Sequence, residues 1–301
     1  MLDSRVRSKK QRQKIVRGEL EVARFKIPYR IFGNSDKHML CVGGAKQSMA
    51  VFKSFVSRFT PEYSVILVDL PGHGKAKSLS GGQFATLDEQ IEVLKALLEA
   101  TSDGRRSLSV FGASWGTIVA SGYAAKYPGI VDKMVLGSFG AKPNQTMTKV
   151  IRGGYDLYYK NGPEAIGPLI IQCFGSQIPE GYATNIIKQF SGMSHEEYLA
   201  FYEHCDFVAE TENITEHIEL AKIDADVMII NGENDSVIDL NDVRKATQLI
   251  KNCVWEVVPD AGHFLHFEDL AIIERYAAFF EGELSGVHLT SIVPKSESIA
   301  G

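Results

Sequence analysis

The sequence predicts an α/β protein: a mostly parallel central sheet with helices on both faces and a helical cap inserted between two of its strands. Short apolar runs alternate with stretches of helical spacing, the pattern of strands joined by crossover helices. The runs stop between Ala141 and Ala221, where long aromatic-rich helical stretches take over, and then resume. With 301 residues, 45% of them hydrophobic, the chain can bury a large core.

The elements follow in order. Glu19–Lys26 and Tyr29–Phe32 alternate and predict an opening antiparallel pair. Met39–Val42 is a buried strand ending at Gly43-Gly44, Ser48–Phe59 has helical spacing, and Val65–Leu70 is the next buried strand. Leu87–Ala100 is the clearest amphipathic helix, with Ile91, Val93, Leu94, Leu97 and Leu98 on its apolar face. Leu108–Phe111 is a strand that runs into Gly112-Ala113-Ser114-Trp115-Gly116, with a small-residue-rich helix over Thr117–Tyr127 behind it. Strands at Lys133–Leu136, Val227–Ile230 and Val254–Val258 and a last helix at Leu270–Phe280 complete the pattern. The expected division is a basic arm over 1–18, a core over 19–140 and 222–282, a cap over 141–221 and a loose tail over 283–301.

The net charge of −5 argues against a nucleic-acid footprint for the whole protein. Residues 1–17 hold seven basic residues against Asp3, so the remainder carries 25 basic and 36 acidic residues, a net of −11. That head reads as a solvated terminus, or as an arm toward an acidic partner. No apolar h-region follows it and no apolar run is long enough to span a membrane, so a cytoplasmic protein is expected. Cys41, Cys173, Cys205 and Cys253 are widely spaced and read as reduced thiols, with no metal-ligand spacing and no cofactor motif.

The candidate chemistry lies at strand ends. Gly112-Ala113-Ser114-Trp115-Gly116 is a G-x-S-x-G motif between a buried strand and a helix, where a sharp turn lifts the Ser114 hydroxyl off the sheet and glycines permit the tight backbone. After Val227–Ile230 comes Asn231-Gly232-Glu233-Asn234-Asp235, and after Val254–Val258 comes Pro259-Asp260-Ala261-Gly262-His263. A serine, an acid and a histidine thus follow in chain order, each at a strand end. Ser114 is the expected nucleophile, His263 the base and Asp235 the acid that orients it, with Glu233 as the rival acid. The amides of Trp115 and Ala45 are the expected oxyanion donors, with Gly44 as the alternative to Ala45.

This context resembles the α/β-hydrolase superfamily over residues 19–282, and Asp69-Leu70-Pro71-Gly72-His73-Gly74 is similar to its D-x-P-G-x-G loop. Gly43-Gly44-Ala45-Lys46, Ser48-Met49-Ala50-Val51-Phe52, Ala113-Ser114-Trp115-Gly116 and Gly262-His263-Phe264-Leu265 resemble a bacterial subgroup. It comprises the 3-(3-hydroxyalkanoyloxy)alkanoate synthases and the 3-hydroxyacyl-ACP:CoA transacylases. The chain departs from that subgroup at Thr117, where a glycine is usual, at Gly43, where asparagine is usual, and at Asn234-Asp235-Ser236-Val237, where W-D-E-Y is usual. The resemblance implies an acyl-enzyme formed from a fatty 3-hydroxyacyl thioester, with an acyl carrier protein as a partner. Lys46, His73, Phe139, Tyr155 and Phe174 are the expected substrate contacts. A carboxylesterase remains the alternative, followed by an aminopeptidase that uses the acidic cap residues Glu196, Glu197, Glu203 and Glu210, and by a non-catalytic binding protein.

Overall fold

The computed structural model describes residues 14–101, 107–175 and 177–283. Residues 1–13 of the expected arm and 284–301 of the expected tail lie outside the described residues. Among those described, nine strands form one sheet: β1 (Ile15–Val22), β2 (Phe25–Phe32), β3 (His38–Val42), β4 (Ser64–Val68), β5 (Lys77–Ser78), β6 (Leu108–Ala113), β7 (Lys133–Gly137), β8 (Asp226–Gly232) and β9 (Cys253–Val258). Their spatial order is β1-β2-β4-β3-β6-β7-β8-β9, with β5 beside β2. The path from β4 to β9 is parallel, while β2 pairs antiparallel with β1, β4 and β5.

The helices are α1 (Lys53–Phe59), α2 (Leu87–Thr101), α3 (Trp115–Lys126), α4 (Gln145–Asn161), α5 (Ile166–Phe174), α6 (Glu180–Ser191), α7 (His195–Glu210), α8 (Leu240–Thr247), α9 (Leu265–Glu268) and α10 (Ile272–Glu281). Successive strand residues point to opposite faces, and here both faces are dry. Leu40, Val42, Ile66, Val110 and Leu136 share a core with Leu94 and Leu97 of α2 and Val119 of α3. Their neighbours Met39, Cys41, Val65, Phe111 and Val135 share another with Phe55 and Phe59 of α1 and Tyr276 of α10. Burial on both sides is why these strands read as continuous apolar runs rather than alternating ones.

The structure revises two boundaries and adds a helix. The expected strand Glu19–Lys26 is broken by a two-residue turn at Ala23-Arg24, where Ala23 takes φ 49°. The Arg24 guanidinium, bonded to Gly82 O (2.6 Å), Phe84 O (2.7 Å) and Glu89, holds that turn without a glycine or proline to signal it. β1 starts at Ile15, inside the expected arm, because ladder pairing of Ile15 with Phe32 extends the hairpin through exposed residues that show no burial pattern. α8 was not expected. It is short and largely polar, and the Asp239 carboxylate caps it by accepting from Asn241 N (2.8 Å).

Helices α4–α7 fill the interval between β7 and β8 and pack a small cluster of their own from Ile166, Phe190, Met193, Tyr198 and Tyr202. Three bonds tie them to the carboxyl edge of the sheet. Asn144, whose Oδ1 caps α4 at Met147 N (2.8 Å), donates from Nδ2 to Ser236 O (3.0 Å). Ser236 Oγ donates to Cys173 O (2.8 Å), and Gln189 Nε2 donates to Lys46 O. Among the described residues no helix is long and apolar enough to cross a membrane.

Candidate active site

Parallel strands all end at the same edge, so the loops after β3, β6, β8 and β9 converge there. At the β6–α3 turn Ser114 has φ 49° and ψ −119°, a conformation L-residues rarely hold. Two glycines make the turn possible. A Cβ on Gly112 would lie 2.6 Å from Gly116 O, and one on Gly116 would lie 2.2 Å from Val42 O. Ser114 N donates to Gly137 O (2.8 Å), which pins the turn to β7 and leaves the hydroxyl pointing off the sheet.

Asp235 and His263 meet it there. His263 Nε2 lies 3.0 Å from Ser114 Oγ and Nδ1 lies 2.7 Å from Asp235 Oδ2. Both the His263 and Asp235 side chains are buried, at 4% and 0% exposure. Asp235 Oδ1 accepts from Val237 N (3.1 Å), which fixes the carboxylate plane. The loop carrying His263 is held from both sides: Glu268 accepts from Gly262 N (2.5 Å) and Phe264 N (3.0 Å), and Ser138 Oγ donates to His263 O (2.6 Å). Glu233, the rival acid, is exposed and accepts instead from Asp260 N (3.3 Å).

The Gly43–Gln47 turn lies against the serine, and a Cβ on Gly44 would come within 3.1 Å of Ser114 Cβ. Gly44 N donates to Gln47 Oε1 (2.8 Å), which removes it from the candidate oxyanion donors. Neither the Ala45 nor the Trp115 amide has a hydrogen-bond partner among the described residues. Trp115 is locked by its indole, which donates from Nε1 to Gln90 Oε1 (2.8 Å).

A cavity of about 210 Å³ opens from Ser114 under α4–α7. Its walls are apolar, with Met147, Ile151, Ile170, Phe190 and Phe207 among them, and no Asp or Glu is in the lining. Phe174 lines it and stands edge-on to the His263 ring at 5.1 Å.

The other expected contacts lie elsewhere. Phe139 is fully buried in the sheet core, because the chain reverses at Ser138 (φ 58°) and turns the next side chain inward. Tyr155 is 45% exposed. The cavity stripe of α4 is Met147, Val150, Ile151 and Gly154, so the following position falls about 100° off it; Tyr155 packs instead on Tyr159 and Tyr202. Lys46 and His73 line a small adjoining cleft behind the Ala45 turn, where Lys46 Nζ donates to Gly72 O (3.3 Å). His266 is buried among aromatic rings and the wall of the large cavity does not include it.

Sequence reasoning missed Gln47, Ser138, His204 and Glu268. Glu268 had a signal, since a carboxylate five residues past His263 at a helix start can reach back to the preceding amides. His204, buried on α7 and lining the cavity, had none. No group of three or more metal-ligating side chains occurs among the described residues.

Comparison with known proteins agrees with this fold. An (R)-3-hydroxydecanoyl-ACP:CoA transacylase of Pseudomonas aeruginosa is 24% identical over 250 residues, 82% of this chain and 82% of that protein. The human monoacylglycerol lipase ABHD6 is 23% identical over 226 residues, 71% of this chain and 66% of that one. The crystal structure of an α/β hydrolase from a Medee basin deep-sea metagenome library superposes with a TM-score of 0.73 at 20% identity, covering 88% of this chain and 97% of the other. The family described as serine aminopeptidase, S33, matches residues 33–269. With that match over most of its length, and with the sheet, the strand-end turns and the cap in place, the chain belongs to the serine aminopeptidase S33 family of α/β-hydrolase enzymes.

Proposed function

We propose that the protein transfers or hydrolyses acyl groups through an acyl-enzyme on Ser114, acting on a medium-chain acyl thioester or ester. The observation that carries this reading is the hydrogen-bonded series Ser114–His263–Asp235 beside a largely apolar cavity that Ser114 and His263 help to line. His263 Nε2 takes the Ser114 proton as Oγ bonds to the acyl carbonyl carbon, and the amides of Ala45 and Trp115 receive the oxyanion. The C–S or C–O bond then breaks, and the leaving group departs with the proton from His263. An acceptor hydroxyl, thiol or water gives its proton to His263 and attacks the ester carbon; the C–Oγ bond then breaks and His263 returns the proton to Ser114 Oγ. Asp235 holds the imidazole tautomer and stabilises its charged form.

The cavity supports an acyl ligand, because each buried methylene contributes about 0.8 kcal/mol. An aminopeptidase needs an anionic partner for the substrate amine. The four cap carboxylates Glu196, Glu197, Glu203 and Glu210 are all exposed, and the cavity lining holds none. The relatives named as transacylase and lipase both move acyl groups, which is consistent with this reading. The test is to incubate the enzyme with 3-hydroxydecanoyl-ACP and follow protein and products by mass spectrometry. An adduct on Ser114 together with a transferred acyl group or free acid supports the proposal, whereas no adduct and no turnover overturns it.

A further inference from the structure

The turn that carries the Ala45 amide is tied to the cap. Gln47 N donates to Gly44 O (3.0 Å) and Gly44 N donates to Gln47 Oε1 (2.8 Å), so Gln47 grips Gly44 at both of its polar groups. A trans peptide points its N–H opposite to its C=O. With Gly44 O held inside the turn, the Ala45 N–H faces out of it, and Ala45 and Ser114 both line the cavity.

The turn closes through Lys46, whose φ of 60° is sparsely populated for residues other than glycine. Such a backbone persists only where its surroundings over-determine it. Two bonds do so here. Lys46 Nζ donates to Gly72 O (3.3 Å), and Gln189 Nε2, on α6, donates to Lys46 O. Only the second of these reaches the backbone. The Lys46–Gln47 peptide therefore has its C=O held by the cap and its N–H held by Gly44 O, and that same N–H sets the plane of the Gly44–Ala45 peptide. Gln189 belongs to the cavity wall together with Ile186 and Phe190 of the same helix.

We propose that Gln189 is a positioning residue: by holding Lys46 O from the cap, it keeps the Ala45 amide aimed at the developing oxyanion. The inference rests on the acyl-enzyme reading above. Gln189 acts on the reaction only through the turn. Its removal leaves the amide in place and frees the peptide that aims it, so the loss is smaller than the roughly 10²- to 10³-fold of deleting an oxyanion donor. A bond that served only to close the cap over an acyl chain would act on binding instead, and more strongly for longer chains.

The test compares the wild type with Gln189→Met, which keeps the side-chain length and removes the donor, and with Gln189→Arg, which keeps a donor. Steady-state kcat and KM are measured for p-nitrophenyl acetate, hexanoate and decanoate, with melting temperatures as the check on folding. Gln189→Met should lower kcat about 3- to 10-fold, the worth of one hydrogen bond, equally for every ester and with KM changed less than about twofold. Gln189→Arg should recover part of that loss. Inhibition by a trifluoromethyl ketone bearing the decanoyl chain, whose adduct with Ser114 carries an oxyanion, should weaken by the factor lost from kcat. An unchanged kcat in Gln189→Met, or a loss confined to KM that grows with acyl length, overturns the inference and leaves the acyl-enzyme intact. No turnover of any ester by the wild type overturns the acyl-enzyme reading and this inference with it.

Discussion

Three buried histidines make this fold sensitive to acid, and the size of the effect follows from their burial. His73, His204 and His266 are 4–8% exposed, and burial lowers their pKa values to about 4, 3 and 3. In the unfolded chain a histidine titrates near about 6.5. Between those values the unfolded state binds protons that the native state refuses, so stability falls as the pH drops below about 6.5. From pH 7 to pH 5 each residue removes nearly 2 kcal/mol, about 5–6 kcal/mol in all. That is comparable to the whole stability of an ordinary domain, about 5–15 kcal/mol. Raising all three native values by one unit changes the sum by less than about 1 kcal/mol. Asp69, whose pKa burial raises, works in the opposite sense at lower pH.

His266→Phe isolates one of these protons. The ring sits among Phe55 (5.1 Å), Phe111 (5.8 Å) and Phe267 (4.4 Å), and its Nε2 is unpartnered among the described residues, so a phenyl ring of similar volume suits the site. Urea unfolding followed by tryptophan fluorescence at pH 7, 6 and 5 should show a shallower pH dependence for the variant. Its advantage over the wild type should grow by about 2 kcal/mol between pH 7 and pH 5. Parallel stability curves would refute the claim that His266 is held neutral by burial.

Other outcomes are equally concrete. Ser114→Ala and His263→Ala should each lower kcat by about 10⁴-fold or more with little change in melting temperature, and Asp235→Asn should lower it by up to about 10⁴-fold through the wrong tautomer. Glu233→Gln should stay within a few-fold of the wild type in the same assay; an inactive Glu233→Gln beside an active Asp235→Asn would reassign the acid. Gly116→Ala, whose methyl would meet Val42 O, should destabilise the protein by about 3 kcal/mol in denaturant titration. Val150→Trp or Ile151→Trp, on the cavity stripe of α4, should shift the preferred acyl length downward in a chain-length series, and an unshifted optimum would count against the cavity as the acyl site.

The sheet and its three strand-end residues were legible because each left a periodic or positional trace. A parallel strand buried on both faces needs an unbroken apolar run, and Met39–Val42 or Val227–Ile230 can be little else at that length. Chain order then placed Ser114, Asp235 and His263 on one edge. The cap was legible only as helices. Its residues divide among the cavity, the joint with the sheet and solvent, so apolar side chains occur on several faces and no single stripe identifies the ligand side. Tyr155 and Phe174 look alike in the sequence, yet one packs outward on Tyr159 and the other stands on His263. That difference is set by how each helix is rotated over the sheet, through bonds such as Asn144 to Ser236 that join residues 92 positions apart.

Backbone conformation is the other part that the sequence conceals, and it explains how the site keeps its shape. Among the described residues five non-glycine residues have positive φ, and four of them, Lys46, Ser114, Ser138 and Asp260, follow β3, β6, β7 and β9 at the active edge. Each such residue costs about 1–3 kcal/mol, so together they approach the net stability of a domain. Nothing local compels a lysine, a serine or an aspartate into that region. What compels them is the sheet, whose strand ends are fixed by ladders on either side, as when Ser114 N bonds Gly137 O and Ser138 N bonds Ile230 O (both 2.8 Å). A rigid edge can hold the serine, the imidazole and two free amides in register before substrate arrives, which is what electrostatic stabilisation of an oxyanion requires. On the acyl-enzyme reading proposed above, the helices over the cavity need only enclose an acyl chain, whereas the edge below must place single atoms.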